Sequence, residues 1–160
     1  MNIDRLRTTL RYDSSDGEFY RLQRTSNSTT VGERAGCVQQ DGYLCLRVFG
    51  KLFLAHRLAW FYVHGEWPTG EIDHIDGDRR NNRMSNLRDV PRTLNAQNLK
   101  RAKSSNKSSG ILGVYRHGSG WRSRITSGGT SKCLGTFRTQ SEAHQAYLVA
   151  KRELHAGNTL

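Results

Sequence analysis

Apolar and polar positions change period several times along the chain, and each change marks an element. Near the N-terminus, the short strand-like runs Glu18 to Leu22, Gly36 to Val38, Tyr43 to Phe49 and Lys51 to Ala55 are punctuated by Asp-Gly and Gly turn signals. They predict a small antiparallel sheet. His56 to Val63 is apolar and aromatic, which predicts a short buried helix ending by Gly65 and before Pro68. Glu71 to His74 is short and extended, Ile75-Asp76-Gly77-Asp78 has turn chemistry, and Asn86 to Val90 returns as a second strand stopped by Pro91. Thr93 then serves as N-cap of a helix running to about Arg101, with Asn95 in its first turn. The order is strand, loop, strand, helix.

The last third repeats a different pattern. Leu112 to His117, Gly120 to Thr126 and Ser131 to Phe137 predict three strands of a meander, joined by Gly-containing turns. Thr139-Gln140-Ser141-Glu142 has capping-box spacing, and Ala143, Ala146, Tyr147, Ala150 and Leu154 follow at helical intervals, predicting an amphipathic helix that ends near Gly157. Strand parity puts Val114, Trp121, Ser123, Ile125 and Leu134 under this helix, and Tyr115, His117, Arg122, Arg124 and Thr126 on the open face. Trp121 and Tyr147 are read as core residues.

Charge sharpens the division. The chain of 160 residues carries a net +11, and residues 105 to 160 hold eight Lys/Arg against two acids. Such a balance points to a polyanion, nucleic acid before an acidic membrane. The longest apolar run, Leu58 to Val63, falls far short of the roughly 20 residues that span a bilayer, so no membrane role is expected. No secretory signal is visible in Met1 to Asp13, and a cytoplasmic address follows. Cys37, Cys45 and Cys133 are widely spaced and odd in number, and are expected to be reduced and buried, with no disulfide framework and no structural zinc site. Lys100 to Gly110 is polar and basic without apolar periodicity and reads as a linker that could follow a DNA groove, with Lys103 and Lys107 as contacts.

The chemistry concentrates at Asp73-His74, with Asn86 twelve residues and Asn95 twenty-one residues beyond the histidine. Phosphodiester hydrolysis needs a deprotonated water and positive charge on the scissile phosphate and leaving oxygen. A neutral imidazole with a pKa near ~6.5 can take that proton, which makes His74 the candidate base. One carboxylate and one amide, Asp73 and Asn95, are hard oxygen ligands suited to a single Mg²⁺ or Mn²⁺, with no small-molecule cofactor. Asn86 would tie the loop Ile75 to Ser85 to the active-site backbone. Adjacent strand residues point to opposite sides, so a twist or bulge must bring Asp73 and His74 to one site. Asp76 and Asp78 resemble half of a calcium loop, but no glutamate occupies its twelfth position.

His56-Arg57-Leu58-Ala59-Trp60, Glu71 to Asp78, Asn81-Asn82-Arg83, Asn86-Leu87-Arg88 and Asn95 together resemble the HNH endonucleases of phages and mobile introns, in the subgroup whose final histidine is asparagine. That resemblance implies a ββα-metal (His-Me finger) fold with His74 as general base, Asp73 and Asn95 on the metal, and Asn86 as the middle asparagine. His56 either touches phosphate or hydrogen-bonds at the helix start, the structural role being favoured, and Asn82 and Arg88 support the loop and site.

Gly113-Val114-Tyr115, Trp121, Ile125, Leu134-Gly135-Thr136-Phe137, Glu142-Ala143, Ala146-Tyr147 and Ala150 resemble the APETALA-type DNA-binding domain of plant ethylene-response factors. In that family the sheet enters the major groove and the helix packs behind it. Several arginines and one tryptophan of the plant pattern are missing, so no target sequence carries over.

The expected fold is α+β: a ββα-metal nuclease core with N-terminal antiparallel strands, plus a three-stranded antiparallel sheet packed on one α-helix. The boundaries expected are a β-rich region 1–55, a nuclease core 56–101, a linker 102–110 and a DNA-binding domain 111–160. The expected function is that of a homing-type, one-metal endonuclease acting on double-stranded DNA as a monomer or weak dimer, leaving 5′-phosphate and 3′-hydroxyl ends. The alternatives are an inactive DNA-binding regulator and a low-specificity restriction or toxin-like nuclease.

Overall fold

The structure, a computed structural model, describes residues 1–158. It is mixed α+β, with small antiparallel sheets and four α-helices among the described residues, and divides into two compact units, Met1–Arg92 and Thr93–Leu160. None of the described helices is long and apolar enough to cross a membrane.

The first unit opens with a helix the strand-like reading passed over, α1 (Ile3–Thr9), capped by the Asn2 side chain, which accepts from Arg5 N. It runs directly into β1 (Leu10–Asp13), which pairs antiparallel with β2 (Glu18–Arg21). β3 (Cys37–Val38), β4 (Leu44–Val48) and β5 (Lys51–Leu54) form a separate three-stranded sheet, so two sheets stand where one was expected. α2 (Ala55–His64) follows without a break and ends at Gly65. Its inward residues Leu58, Ala59 and Phe61 join Leu6, Phe19 and Leu46 in one core, on which Ile72 and Leu87 also rest. Trp67 stacks on Phe61 and Phe53, centroids 4.5 and 5.6 Å away, and closes the core's edge.

β6 (Glu71–His74) and β7 (Leu87–Val90) make a two-stranded antiparallel ladder with Asp73 opposite Arg88 and His74 opposite Leu87. Its register is continuous, so no bulge turns the strand as had been one expectation. Asn86 lies in a single 3₁₀ turn, Met84–Asn86, just ahead of β7. Asp89 accepts from Thr69 N, Thr69 Oγ1 and Gly70 N, which fastens the approach to β6 onto β7.

α3 (Arg92–Gln97) starts directly after Pro91, so Thr93 lies inside the helix and does not cap it. It is shorter than the sequence suggests: Asn98 N turns back to Asn95 O. Thr93 onward belongs to the second unit, where Lys151 Nζ donates to Leu99 O and Gly157 N to Gln97 Oε1. The stretch expected to be a linker is likewise folded in. Asn106 Nδ2 donates to Ile111 O and Val114 O, and Ser109 Oγ to Val114 O, which satisfies carbonyls beside an edge strand.

β8 (Val114–His117), β9 (Gly120–Ser127) and β10 (Thr130–Phe137) form the meander, in the order β10-β9-β8, and α4 (Gln140–Leu154) covers one face. The capping box is present: Thr139 Oγ1 accepts from Glu142 N, and Glu142 Oε2 from Thr139 N. Val114, Ser123 and Ile125 are buried with Ala143, Tyr147 and Ala150. A bulge between Cys133 and Gly135 keeps Leu134 in the core side of β10. Cys45 is buried, whereas Cys37, on the edge strand β3, and Cys133, opposite Arg124, are exposed, which corrects the expectation for those two. All three are free thiols.

Gly113 precedes β8 with φ +75, and a Cβ there would land on the Tyr147 ring. Replacing it by alanine combines left-handed strain with overpacking. Gly113→Ala is expected to destabilise the second unit by roughly 2–4 kcal/mol, read as a lowered denaturation midpoint; an unchanged midpoint contradicts the packing described.

Candidate functional site

β6 delivers Ile72, Asp73 and His74, all buried, from one short strand. The Asp73 side chain lies with its cross-strand partner Arg88, whose Nε and Nη2 donate to Oδ2 at 2.8 and 2.6 Å. Asp73 is only 5% exposed, and the guanidinium compensates a carboxylate that would otherwise be costly to bury.

The His74 ring stands edge-on to His56 from α2, centroids 5.0 Å apart, and both rings lie against Tyr43, at 6.0 and 5.1 Å. Its Nε2 is 3.1 Å from Oδ1 of Asn82, a residue with no solvent exposure. Burial lowers the His74 pKa below the ordinary imidazole value, against the opposing pull of the Asn82 hydrogen bond and the Asp76, Asp73 and Asp78 carboxylates. The ring is therefore neutral at cellular pH and able to accept a proton. His56 is pushed down to about 3, by burial first and then by repulsion from His74 once that ring is protonated and from Arg57. Its Nδ1 is buried without a hydrogen-bond partner among the described residues.

The loop between β6 and β7 is held by its own amides. Asn86 Oδ1 accepts from Asp76 N at 3.0 Å, while its Nδ2 donates to Asp76 Oδ1 and Asn81 O at 2.9 and 2.8 Å. Asp76 also accepts from Asp78 N and Asn81 Nδ2. Burial alone would raise the Asp76 pKa, but these hydrogen bonds hold it below the ordinary carboxylate value. Asp76 thus organises the loop, a role the calcium-loop comparison did not suggest. Tyr12 and Tyr43 were also absent from the sequence-based list; their approach depends on chain separations that carry no local signal.

Among the described residues no three His, Cys, Asp or Glu side chains converge as a metal cluster. The first unit offers one buried carboxylate, Asp73, next to a neutral imidazole. Such a donor set fits a hard cation that takes its other ligands from amide, water and substrate oxygens better than it fits zinc. Asn95 lies on α3, in the second unit.

In the second unit the face away from α4 carries Tyr115, His117, Arg124 and Thr126 exposed, with Arg122 half-buried among them. Arg122 Nη2 is hydrogen-bonded to His117 Nε2, and its buried Nε has no partner among the described residues. Arg116 takes the other parity, over the Trp121 ring at 4.9 Å. Lys103 and Lys107 are exposed. This unit holds eleven Lys/Arg against two acids, while the first holds fourteen against twelve.

Because the folded state keeps His56 neutral and the unfolded chain does not, protons favour unfolding below the ordinary imidazole pKa. Stability is full above about pH 6.5 and falls by up to roughly 1.4 kcal/mol per unit toward pH 3 from this group. His56→Gln, which cannot protonate, is expected to flatten the fall in urea midpoint between neutral pH and pH near ~5. An equally steep fall in the variant contradicts the assignment.

No curated protein and no solved structure matches the chain. Residues 53–97, from β5 through α3, match the family model described as HNH endonuclease.

Proposed function

We propose that this chain is a metal-dependent endonuclease of the homing type that hydrolyses phosphodiester bonds in double-stranded DNA. The observation that carries the reading is the buried, neutral His74 imidazole beside Asp73, inside the segment that matches the HNH endonuclease family. His74 acts as general base on the attacking water. Asn86, through Asp76 and Asn81, keeps the loop from invading the position that water and phosphate occupy.

In this reading β6 and β7 supply the strand pair of a metal-dependent nuclease core, in which Asp73 would hold one divalent ion, Mg²⁺ or Mn²⁺. Bound there, the ion supplies positive charge to the scissile phosphate and the leaving O3′. Arg88 aims the Asp73 carboxylate and offsets its charge. His56 supports the His74 ring from behind. The products are 5′-phosphate and 3′-hydroxyl ends, and one such site cuts one strand at a time.

The second unit grips DNA. Its charge balance of eleven bases to two acids supports phosphate binding, and the open sheet face of Tyr115, His117, Arg122, Arg124 and Thr126, with Lys103 and Lys107, supplies the contacts. Arginine can pair bidentately with guanine O6 and N7 or hold phosphate.

Wild type is expected to nick supercoiled plasmid with Mg²⁺ or Mn²⁺, and His74→Ala to lose at least about 100-fold in rate. Tight binding with no cleavage under any metal or salt condition would sink the enzyme and leave a DNA-binding regulator. Arg124→Ala is expected to weaken duplex binding by about 5- to 150-fold with the metal dependence of cleavage unchanged. Loss of metal dependence in that variant contradicts the division of labour.

A further inference from the structure

We infer that Asn82 is a positioning residue that fixes which nitrogen of His74 carries the hydrogen, and that the N-terminal hairpin β1–β2 holds Asn82 in place for that task. The inference rests on the reading of His74 as general base.

The amide orientation follows from its two neighbours. Asn82 Nδ2 donates to Arg80 O at 3.2 Å, and a carbonyl oxygen can only accept. Oδ1 therefore faces His74 Nε2 at 3.1 Å and is itself acceptor-only, so Nε2 must carry the hydrogen. Turning the amide over would set Oδ1 against the Arg80 carbonyl, two facing acceptors around a side chain with no solvent exposure, and leave Nδ2 without that acceptor. With the hydrogen on Nε2, the lone pair that accepts a proton sits on Nδ1. The hydrogen bond made by one ring nitrogen thus decides the chemistry available to the other.

Asn82 is fixed by more than its side chain. Tyr12 Oη, from β1, donates to Asn82 O at 2.6 Å. Arg83 Nε donates to Ser15 O at 2.6 Å. Gly17, at φ +79, lies so close that a Cβ there would meet Arg83 N at 2.5 Å and Asn82 C at 2.6 Å. The hairpin therefore holds the Asn82–Arg83 backbone at two points, Tyr12 and Gly17, and the Arg83 side chain at a third. Tyr12, Ser15 and Gly17 all lie outside residues 53–97, so the segment that matches the nuclease family does not contain everything that orients its base.

The test reads the tautomer directly. Nitrogen-15 correlation spectra of the ring in the full chain, without metal or DNA and at about pH 8, where imidazole is neutral, are expected to report a single Nε2–H form for His74, assigned by its loss in His74→Gln. An Nδ1–H form in wild type overturns the inference, and needs no variant to fold. Asn82→Ala is expected to populate both tautomers and to lower kcat for plasmid nicking by about 10- to 100-fold with KM unchanged. A single Nε2–H form with unaltered kcat in that variant also overturns it. Wild type that carries the Nε2–H form yet never cuts DNA sinks the nuclease reading and leaves the tautomer assignment standing.

Discussion

A ladder of only two strands and four residue pairs carries Asp73 and His74, and an isolated two-stranded ladder is marginal in water. Everything around β6 and β7 can be understood as support for it. Ile72 and Leu87 root the ladder in the core beneath α2. Asp89 fastens the approach to β6 at Thr69 and Gly70, Arg88 fastens Asp73 across the strands, and the Asp76–Asn86 exchange closes the loop at the other end. The Gly70–Asp89, Arg88–Asp73 and Asp76–Asn86 hydrogen bonds are made in partly dry places, where breaking one leaves a polar group unsatisfied.

The two units divide the physical demands. The general base proposed for this chain must be neutral, and the first unit, nearly balanced in charge, keeps His74 so by burial against His56 and Tyr43. The DNA grip proposed for the second unit needs the opposite, a surplus of exposed cations, and that unit carries almost all of the chain's net charge. Had the surplus surrounded His74, it would have held the imidazole's proton affinity still lower and made it a poorer base.

Elements whose causes are local were legible. β6 was read at its observed bounds, α2 ended at Gly65, and the capping box at Thr139 opened α4 as its spacing implies. α1 was not seen, because its buried face is little more than Leu6 and its cap is a single asparagine. Lys100 to Gly110 read as a linker because polar serines and asparagines look alike whether they meet water or, as Asn106 and Ser109 do, the carbonyls beside β8. In the first unit, the residue types of Asp73, His74 and Asn86 could be listed from spacing alone. The grip of Tyr12 on Asn82 could not, since seventy residues separate them and no periodicity links them.

That grip also bears on why the buried site tolerates so much polarity. His56, Asp73, His74, Asn82 and Asn86 are all nearly excluded from solvent, a cluster that apolar residues of similar volume would replace at no loss of burial. Polar burial of this kind gives little net stability and is costly when incomplete. In the proposed reading the cost falls where the chemistry needs it: an acceptor for Nε2, a compensated carboxylate and a clamped loop each require a polar atom with the water removed. Nδ1 of His56 is an exception in the cluster, an acceptor or donor buried without a partner among the described residues, at a cost of about 1–3 kcal/mol. Packing alone does not explain a histidine there, because leucine would fill the space without that penalty. An aromatic ring that stays neutral against His74, without adding charge to it, does.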